Sequence, residues 1–232
     1  MIATPRCLFL HLHKSGGTFV NDCLLRFVPG ARVLGYHLPH TAIPAELSAR
    51  PVLGFVRSPW SYYVSWFAFQ SGLPQPNVLF RVLSDDGRLG FAATVANMLN
   101  LAADKDRLDR VVAGLPDHYT GRGLNLPGPV VARLAARGPV GFYTFLFEYM
   151  FGADDANRRI GRLESLRADL PRLLDSTGEP VSEALLQHLA TAAPTNVSAH
   201  ENYRAYYDTG LSDLVAQRDA PLIARFGYRF GD

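Results

Sequence analysis

CLFLHLHKSGGT, residues Cys7 to Thr18, decides how this chain is read, because an apolar run ends there in a glycine turn that carries a lysine. Cys7, Leu8, Phe9, Leu10 and Leu12 form a short run free of glycine and proline, which suits a strand covered on both faces. Beyond Gly16 and Gly17, the residues Phe19, Val20, Cys23, Leu24 and Phe27 recur at three- and four-residue intervals, the stripe of a helix that buries one side. The order is therefore strand, glycine turn, helix. Glycines at such a turn let backbone amides face an anion without a Cβ in the way, and the helix start adds partial positive charge. Lys14 adds a full charge, and it is one of only two lysines, with Lys105, in a chain that otherwise uses arginine. The plainer reading makes residues 15–18 a tight connection with a threonine N-cap and leaves Lys14 a solvated surface residue.

Outward from this stretch, Ala31 to Tyr36 has the pattern of a second short strand, followed by His37 and His40 in a proline-containing loop with a short helix near Ala45 to Ala49. Val52 to Val56 is a third apolar run and stops at Arg57. Ser58-Pro59 then opens a helix expected to reach about Gln70, with serine as N-cap and proline at the first helical position. Strands alternating with helices at this pace predict an α/β fold with a parallel sheet between helices, where ligands collect at the carboxyl ends of strands. Residues His11 to Thr18, His37 to His40 and Arg57 to Ser65 all follow strand ends, which points to one site.

The remainder is less patterned. Ser71 to Gly90 reads as an irregular excursion, Phe91 to Ala102 and Lys105 to Leu115 as helices, and Pro116 to Gly141 as a second irregular segment. The aromatic run Phe142 to Phe151 reads as a lid or an acceptor wall, or as ordinary core. Arg158 to Glu164 is a fourth strand, and the helix from Ser165 to Ser176 should break or restart at Pro171. Helices over Ser182 to Thr191, Asn202 to Val215 and Ala220 to Phe226 close the chain.

With 232 residues, 48% hydrophobic and 19% charged, the composition is that of one globular domain spanning 1–232, with irregular insertions near 71–90 and 116–141. A net charge of +2 without a basic run argues against nucleic acid as partner and for a small one. The first apolar stretch is short and is flanked by Arg6 and Lys14, so neither a secretory signal nor a membrane span is expected, and the expected compartment is the cytoplasm. Cys7 and Cys23 are two cysteines without a disulfide framework and fit as small core residues.

In the nucleoside triphosphate loop the lysine follows the glycines, whereas here it precedes them. That order, HLHKSGGT at 11–18, with FVRSPWSYYVSW at 55–66, resembles the paired motifs of the sulfotransferases that use 3′-phosphoadenosine 5′-phosphosulfate (PAPS). The C-terminal stretches YRAYYDTGLSDLV and FGYRF are similar to the ends of bacterial members of the group that includes carbohydrate sulfotransferases. The resemblance implies a three-layer, P-loop-like α/β fold with a central, mostly parallel sheet flanked by helices. It also implies sulfuryl transfer from PAPS to a hydroxyl or amine of a sugar or small-molecule acceptor, with no metal. Lys14, Ser15, Gly16, Gly17, Thr18 and Phe19 would form the phosphosulfate loop, with Lys14 catalytic, and Arg57 and Ser65 would take the 3′-phosphate. The general base would be His37, with His40 as substitute, a histidine having an ordinary pKa suited to neutral pH. His11 or His13 would instead orient the loop. The C-terminal arginine-lysine-glycine loop of the cytosolic branch has no counterpart, and the stretch from Asn196 to Arg204 is the expected replacement. Trp60 and Tyr62 are aromatic options for the adenine. Two rival functions are a small-molecule kinase with an atypical phosphate loop, which would need a magnesium-binding hydroxyl and carboxylate, and a non-catalytic nucleotide-binding relic of the same fold.

Overall fold

A computed structural model of the chain describes residues 1–152, 156–193 and 201–231. The strands are β1 (Ile2–Ala3), β2 (Leu8–Phe9), β3 (Arg32–Val33), β4 (Val52–Val56) and β5 (Arg158–Arg162). The helices are α1 (Gly17–Phe27), α2 (Pro59–Ser71), α3 (Val78–Leu83), α4 (Phe91–Leu99), α5 (Lys105–Ala113) and α6 (Gly128–Val131). They continue with α7 (Phe142–Phe151), α8 (Leu166–Asp175), α9 (Glu183–Thr191), α10 (Thr209–Arg218) and α11 (Ala220–Phe226). The chain forms two compact units, one built from Met1–Arg57 with Phe147–Val197 and one from Ser58–Leu146 with Ser198–Asp232.

The first unit holds all five strands in one sheet, ordered β3-β1-β2-β4-β5. The expected mostly parallel sheet is instead mixed: β2–β4 and β4–β5 pair parallel, while β1 pairs antiparallel with both β2 and β3. The difference comes from β1, which is too short to show a period of two and is fixed by tertiary contacts. The turn into β2 is closed by Thr4, whose amide donates to the Cys7 carbonyl at 3.0 Å and whose hydroxyl accepts from the Cys7 amide at 3.0 Å. The same hydroxyl donates to buried Glu179 at 2.6 Å, and the Arg6 amide donates to that carboxylate at 3.0 Å. Because β1 is reversed against both of its neighbours, β2, β3, β4 and β5 all run in one direction. The strands read from the sequence therefore do end at a common edge, although their bounds are shorter than expected for β2 and β3.

Strand β4 is buried along its whole length, as its unbroken apolar run requires. Leu53 and Phe55 join Phe9 in a core with Val20, Leu24 and Leu170, so α1, α8 and α9 cover that face of the sheet. On the opposite face Gly54 leaves room for Phe151 at the end of α7, where an added Cβ would lie 2.2 Å from the ring. In the same way Gly161 of β5, paired with Phe55, gives that ring space. Pro171 does not break α8, because the buried leucines on either side of it, Leu170, Leu173 and Leu174, hold the helix on the core against the local penalty.

The second unit is helical. Ser58 and Pro59 open α2 as expected. The segment 71–90 is not wholly irregular: α3 lies inside it, started by Asn77, whose side chain accepts from the Phe80 amide at 2.9 Å. Segment 116–141 likewise contains α6 and a short 3₁₀ turn, Ala132–Ala136. The aromatic run from Phe142 is helix α7, and its buried rings make it core: Tyr143 stacks on Tyr62 at 3.8 Å and 13°. Asp219 ties these helices together. Its carboxylate accepts from Tyr63 Oη at 2.7 Å and from the Thr144 amide and hydroxyl at 2.9 and 2.6 Å. Burial pushes the Asp219 carboxyl up, and the bonds from Thr144 and Tyr63 oppose that shift. No helix among the described residues is long and apolar enough to cross a membrane.

Thr4→Val removes the hydroxyl that serves both the Cys7 amide and Glu179. It should destabilise the chain by about 1–3 kcal/mol, the cost of leaving such groups buried without a partner. The check is a lower urea midpoint at constant m-value, and an unchanged midpoint would contradict the bracing of β1.

Candidate functional site

The site of the first unit grows out of the pairing of β2 with β4. Leu8 pairs with Val52 and Phe9 with Leu53, and the Leu10 amide donates to the Leu53 carbonyl at 2.9 Å. Strand β4 runs on past the partner of Phe9 to Val56, and the chain that continues from β2 runs on to meet the residue after its end. Arg57 Nη1 donates to the Lys14 carbonyl at 3.1 Å. This bond holds a lysine in a left-handed conformation, φ +57°, that L-residues seldom adopt. His37, with φ +46°, is in the same region.

Beyond Lys14 the chain turns at Gly16, which has φ +78° and serves as N-cap of α1. Its carbonyl accepts from the Phe19 amide at 3.1 Å and from the Val20 amide at 3.3 Å. Gly17 and Thr18 are the first two residues of the helix, whose amides have no carbonyl one turn back to bind. Both glycines are also demanded by packing. A Cβ on Gly16 would lie 2.6 Å from Leu163, and one on Gly17 would lie 1.9 Å from the His11 ring.

His11 is one of three buried histidines gathered here. The His13 ring stacks on His37 at 3.8 Å and 17°, and His11 lies 4.2 Å from His37. Tyr36 meets His37 edge-on at 4.0 Å. His37 Nδ1 is 2.6 Å from the His11 carbonyl, so Nδ1 is the donor and Nε2 carries the lone pair. Asn21 Nδ2 lies 3.4 Å from His11 Nδ1, which sets that nitrogen as the acceptor. The His11 ring occupies the space that a Cβ on Gly17 would need.

Burial first, then repulsion from His13, lowers the His11 pKa to about 3. The same causes, with His11 added, push His37 far below the ordinary histidine range. The ordinary pKa read for His37 from the sequence is thus not kept. Both rings are neutral at neutral pH. Burial and the neighbouring Arg57 lower Lys14 to about 8, which makes its ammonium a cation short of solvation beside a second cation. Such a pair, at the start of a helix, favours an anion.

The first unit thus brings together Lys14, Ser15, Gly16, Gly17, Thr18, His37 and Arg57 around the β2 and β4 ends. Ser15 donates to the His13 carbonyl at 3.3 Å. The Phe19 side chain turns into the core, stacked on His188 at 5.7 Å, and its amide is used by Gly16. His40 sits elsewhere. It packs over Gly152, and burial and Arg158 lower its pKa. Arg158 opens β5 opposite the first residue of β4, so His40 is at the strand starts and not at their ends. Ser65 belongs to the second unit, where it is buried on α2. Of the stretch 196–204, residues 196–200 lie outside the described residues.

Asn21 and Tyr36 had no signal in the sequence. Asn21 is a polar residue on an amphipathic helix, and its tie to His11 depends on the fold of the loop. Among the described residues, no group of three or more His, Cys, Asp or Glu is arranged to hold a metal ion. Neither protein-family models nor curated proteins give a match to the chain.

Two outcomes follow from this geometry. Gly17→Ala should displace the His11 ring and cost about 1–3 kcal/mol, as overpacking does, whereas Thr18→Ala at an exposed position should stay within about 0.5 kcal/mol. Equal urea midpoints for the two variants would contradict the contact. The histidines also give stability a pH dependence. The folded pKa of His11 is depressed, so the unfolded chain binds more protons between about 3 and 6.5. Stability should be full above about pH 6.5 and fall as pH drops toward about 3, and the His11 ring signal in NMR should not titrate near neutrality.

Proposed function

We propose that the chain is a sulfotransferase that moves a sulfuryl group from PAPS to a hydroxyl or amine of a sugar or other small acceptor. The supporting observation is the Arg57 to Lys14 bond of 3.1 Å, which joins the two motifs of the resemblance at one strand edge. In this reading the first unit is a P-loop-like fold in which strand β2, the glycine turn and α1 form the phosphosulfate loop. The fit rests on the donor set: the under-solvated Lys14 ammonium, the amides at the start of α1 and the Arg57 guanidinium suit two anionic groups.

The transfer breaks the bond from sulfur to the oxygen bridging it to phosphorus and forms a bond from sulfur to the acceptor oxygen or nitrogen. Negative charge gathers on the departing bridge oxygen, which Lys14 and the loop amides stabilise. His37 is the proton acceptor in this scheme. Its tautomer leaves Nε2 with the lone pair. Burial and the neighbouring histidines weaken that nitrogen as a base, and the anionic groups of the bound donor are what would raise its pKa toward a useful value.

Lys14→Ala should lower kcat by about 10²–10³, the cost of losing one such donor. His37→Gln should lower kcat with little change in KM. Both are read by transfer of labelled sulfate from PAPS into an extract, with the labelled product identified. Turnover of ATP with magnesium and indifference to PAPS would overturn the reading in favour of a kinase. Adenosine 3′,5′-bisphosphate affinity should be level between about pH 7, where its phosphates are fully ionised, and about pH 8, and fall above that as Lys14 loses its proton. In calorimetry Lys14→Met should remove that fall, and a fall that persists in the variant assigns it to another group.

A further inference from the structure

The second unit contains a cavity of about 610 Å³ formed by the end of α2, α3 and the segments around it. That volume is within the range of small-molecule sites. Its apolar lining comes from Phe67, Phe80, Pro74, Pro76 and Leu89, with the two rings 5.6 Å apart. Its polar lining includes Gln75 and the ion pair of Arg81 with Asp86.

Three observations single this cavity out. Asp85, Asp86 and Gly87 are consecutive residues with φ of +52°, +53° and +85°, two of them not glycine. Such a run needs support, and it has it. The Asp86 amide donates to the Arg81 carbonyl at 2.7 Å, and the Gly87 amide donates to Ser84 Oγ at 2.9 Å. Arg88 clamps Asp85 through two bonds of 3.0 and 2.6 Å. The strained turn presents Asp86 at the cavity wall. Secondly, Arg81 and Asp86 meet through a single contact of 3.1 Å between Nε and Oδ1. The two side chains are 57% (Asp86) and 60% (Arg81) exposed, so the pair is accessible to a ligand. Thirdly, the pair is electrically compensated, so the wall disfavours a net cation as much as a net anion.

We propose that this cavity binds a neutral polyhydroxylated ring, a pyranose or a cyclitol. Neighbouring hydroxyls are each donor and acceptor, and a guanidinium beside a carboxylate supplies acceptor and donors in adjacent positions. The proline and phenylalanine surfaces suit the C–H face of such a ring. A simple apolar alcohol would use neither member of the pair beyond one hydroxyl, and a phosphorylated or sulfated ring would bring a net charge that a compensated pair does not balance. Binding here is independent of sulfuryl transfer, and no nucleotide enters the experiment.

The test is a chemical-shift titration of the full chain with methyl β-glucopyranoside, methyl β-galactopyranoside, N-acetylglucosamine and myo-inositol. Cyclohexanol and benzoate serve as apolar and anionic probes. At least one polyol should shift amides within 71–89, glycosides alone assigning a sugar and inositol alone a cyclitol. Asp86→Asn keeps a residue tolerant of positive φ and removes the charge, and Arg81→Gln removes the fork. Each should weaken binding about tenfold while the urea midpoint stays unchanged. No response to any polyol, a response to cyclohexanol or benzoate alone, or undiminished polyol binding by both variants overturns the assignment.

Discussion

The amide of Leu10 bonded to the carbonyl of Leu53 fixes two apolar strands side by side and in one direction, and everything at the site follows from that register. The chain leaving β2 is thereby led to the end of β4. The lysine after one and the arginine after the other then meet, and the arginine bonds the backbone of the lysine and holds its left-handed turn. Two cations brought so close would repel in isolation. Burial first, and then this repulsion, lowers the Lys14 pKa, and an anion at the start of α1 would offset both.

Around this pairing the loop is shaped by exclusion as much as by attraction. Gly17 has no Cβ because His11 occupies that space, and Gly16 has none because Leu163 and Leu166 do. His11 and His37, packed on each other and buried, are held neutral with fixed tautomers, and His13 stacks flat on His37. His11 fills the space beside Gly17, and His37 bonds the His11 carbonyl through Nδ1. In the second unit the corresponding constraint is Asp219, a buried carboxylate fully engaged by Tyr63 and Thr144, which ties α2 and α7 to the turn between α10 and α11.

What the sequence determined by itself was local. The apolar run at 52–56 is long enough to be unambiguous, and β4 has those bounds. The strand, glycine turn and helix from Leu8 to Phe27 were legible because their periods and punctuation are strong. The edge at which polar residues gather was legible too, since each apolar run ends abruptly. Tertiary structure decided the rest. β1 has two residues and carries no period, so its reversal of the sheet depends on the Thr4 turn and on Glu179, which is remote in the chain. His37 and His40 look equivalent in sequence, yet one is drawn to the carbonyl of His11 and the other packs on Gly152, because contacts from distant segments choose between them. The pKa of a histidine follows burial and neighbours, which spacing does not encode. Lys14 and Arg57 were each visible as charges, but only the parallel register, a long-range hydrogen-bond pattern, made them a pair.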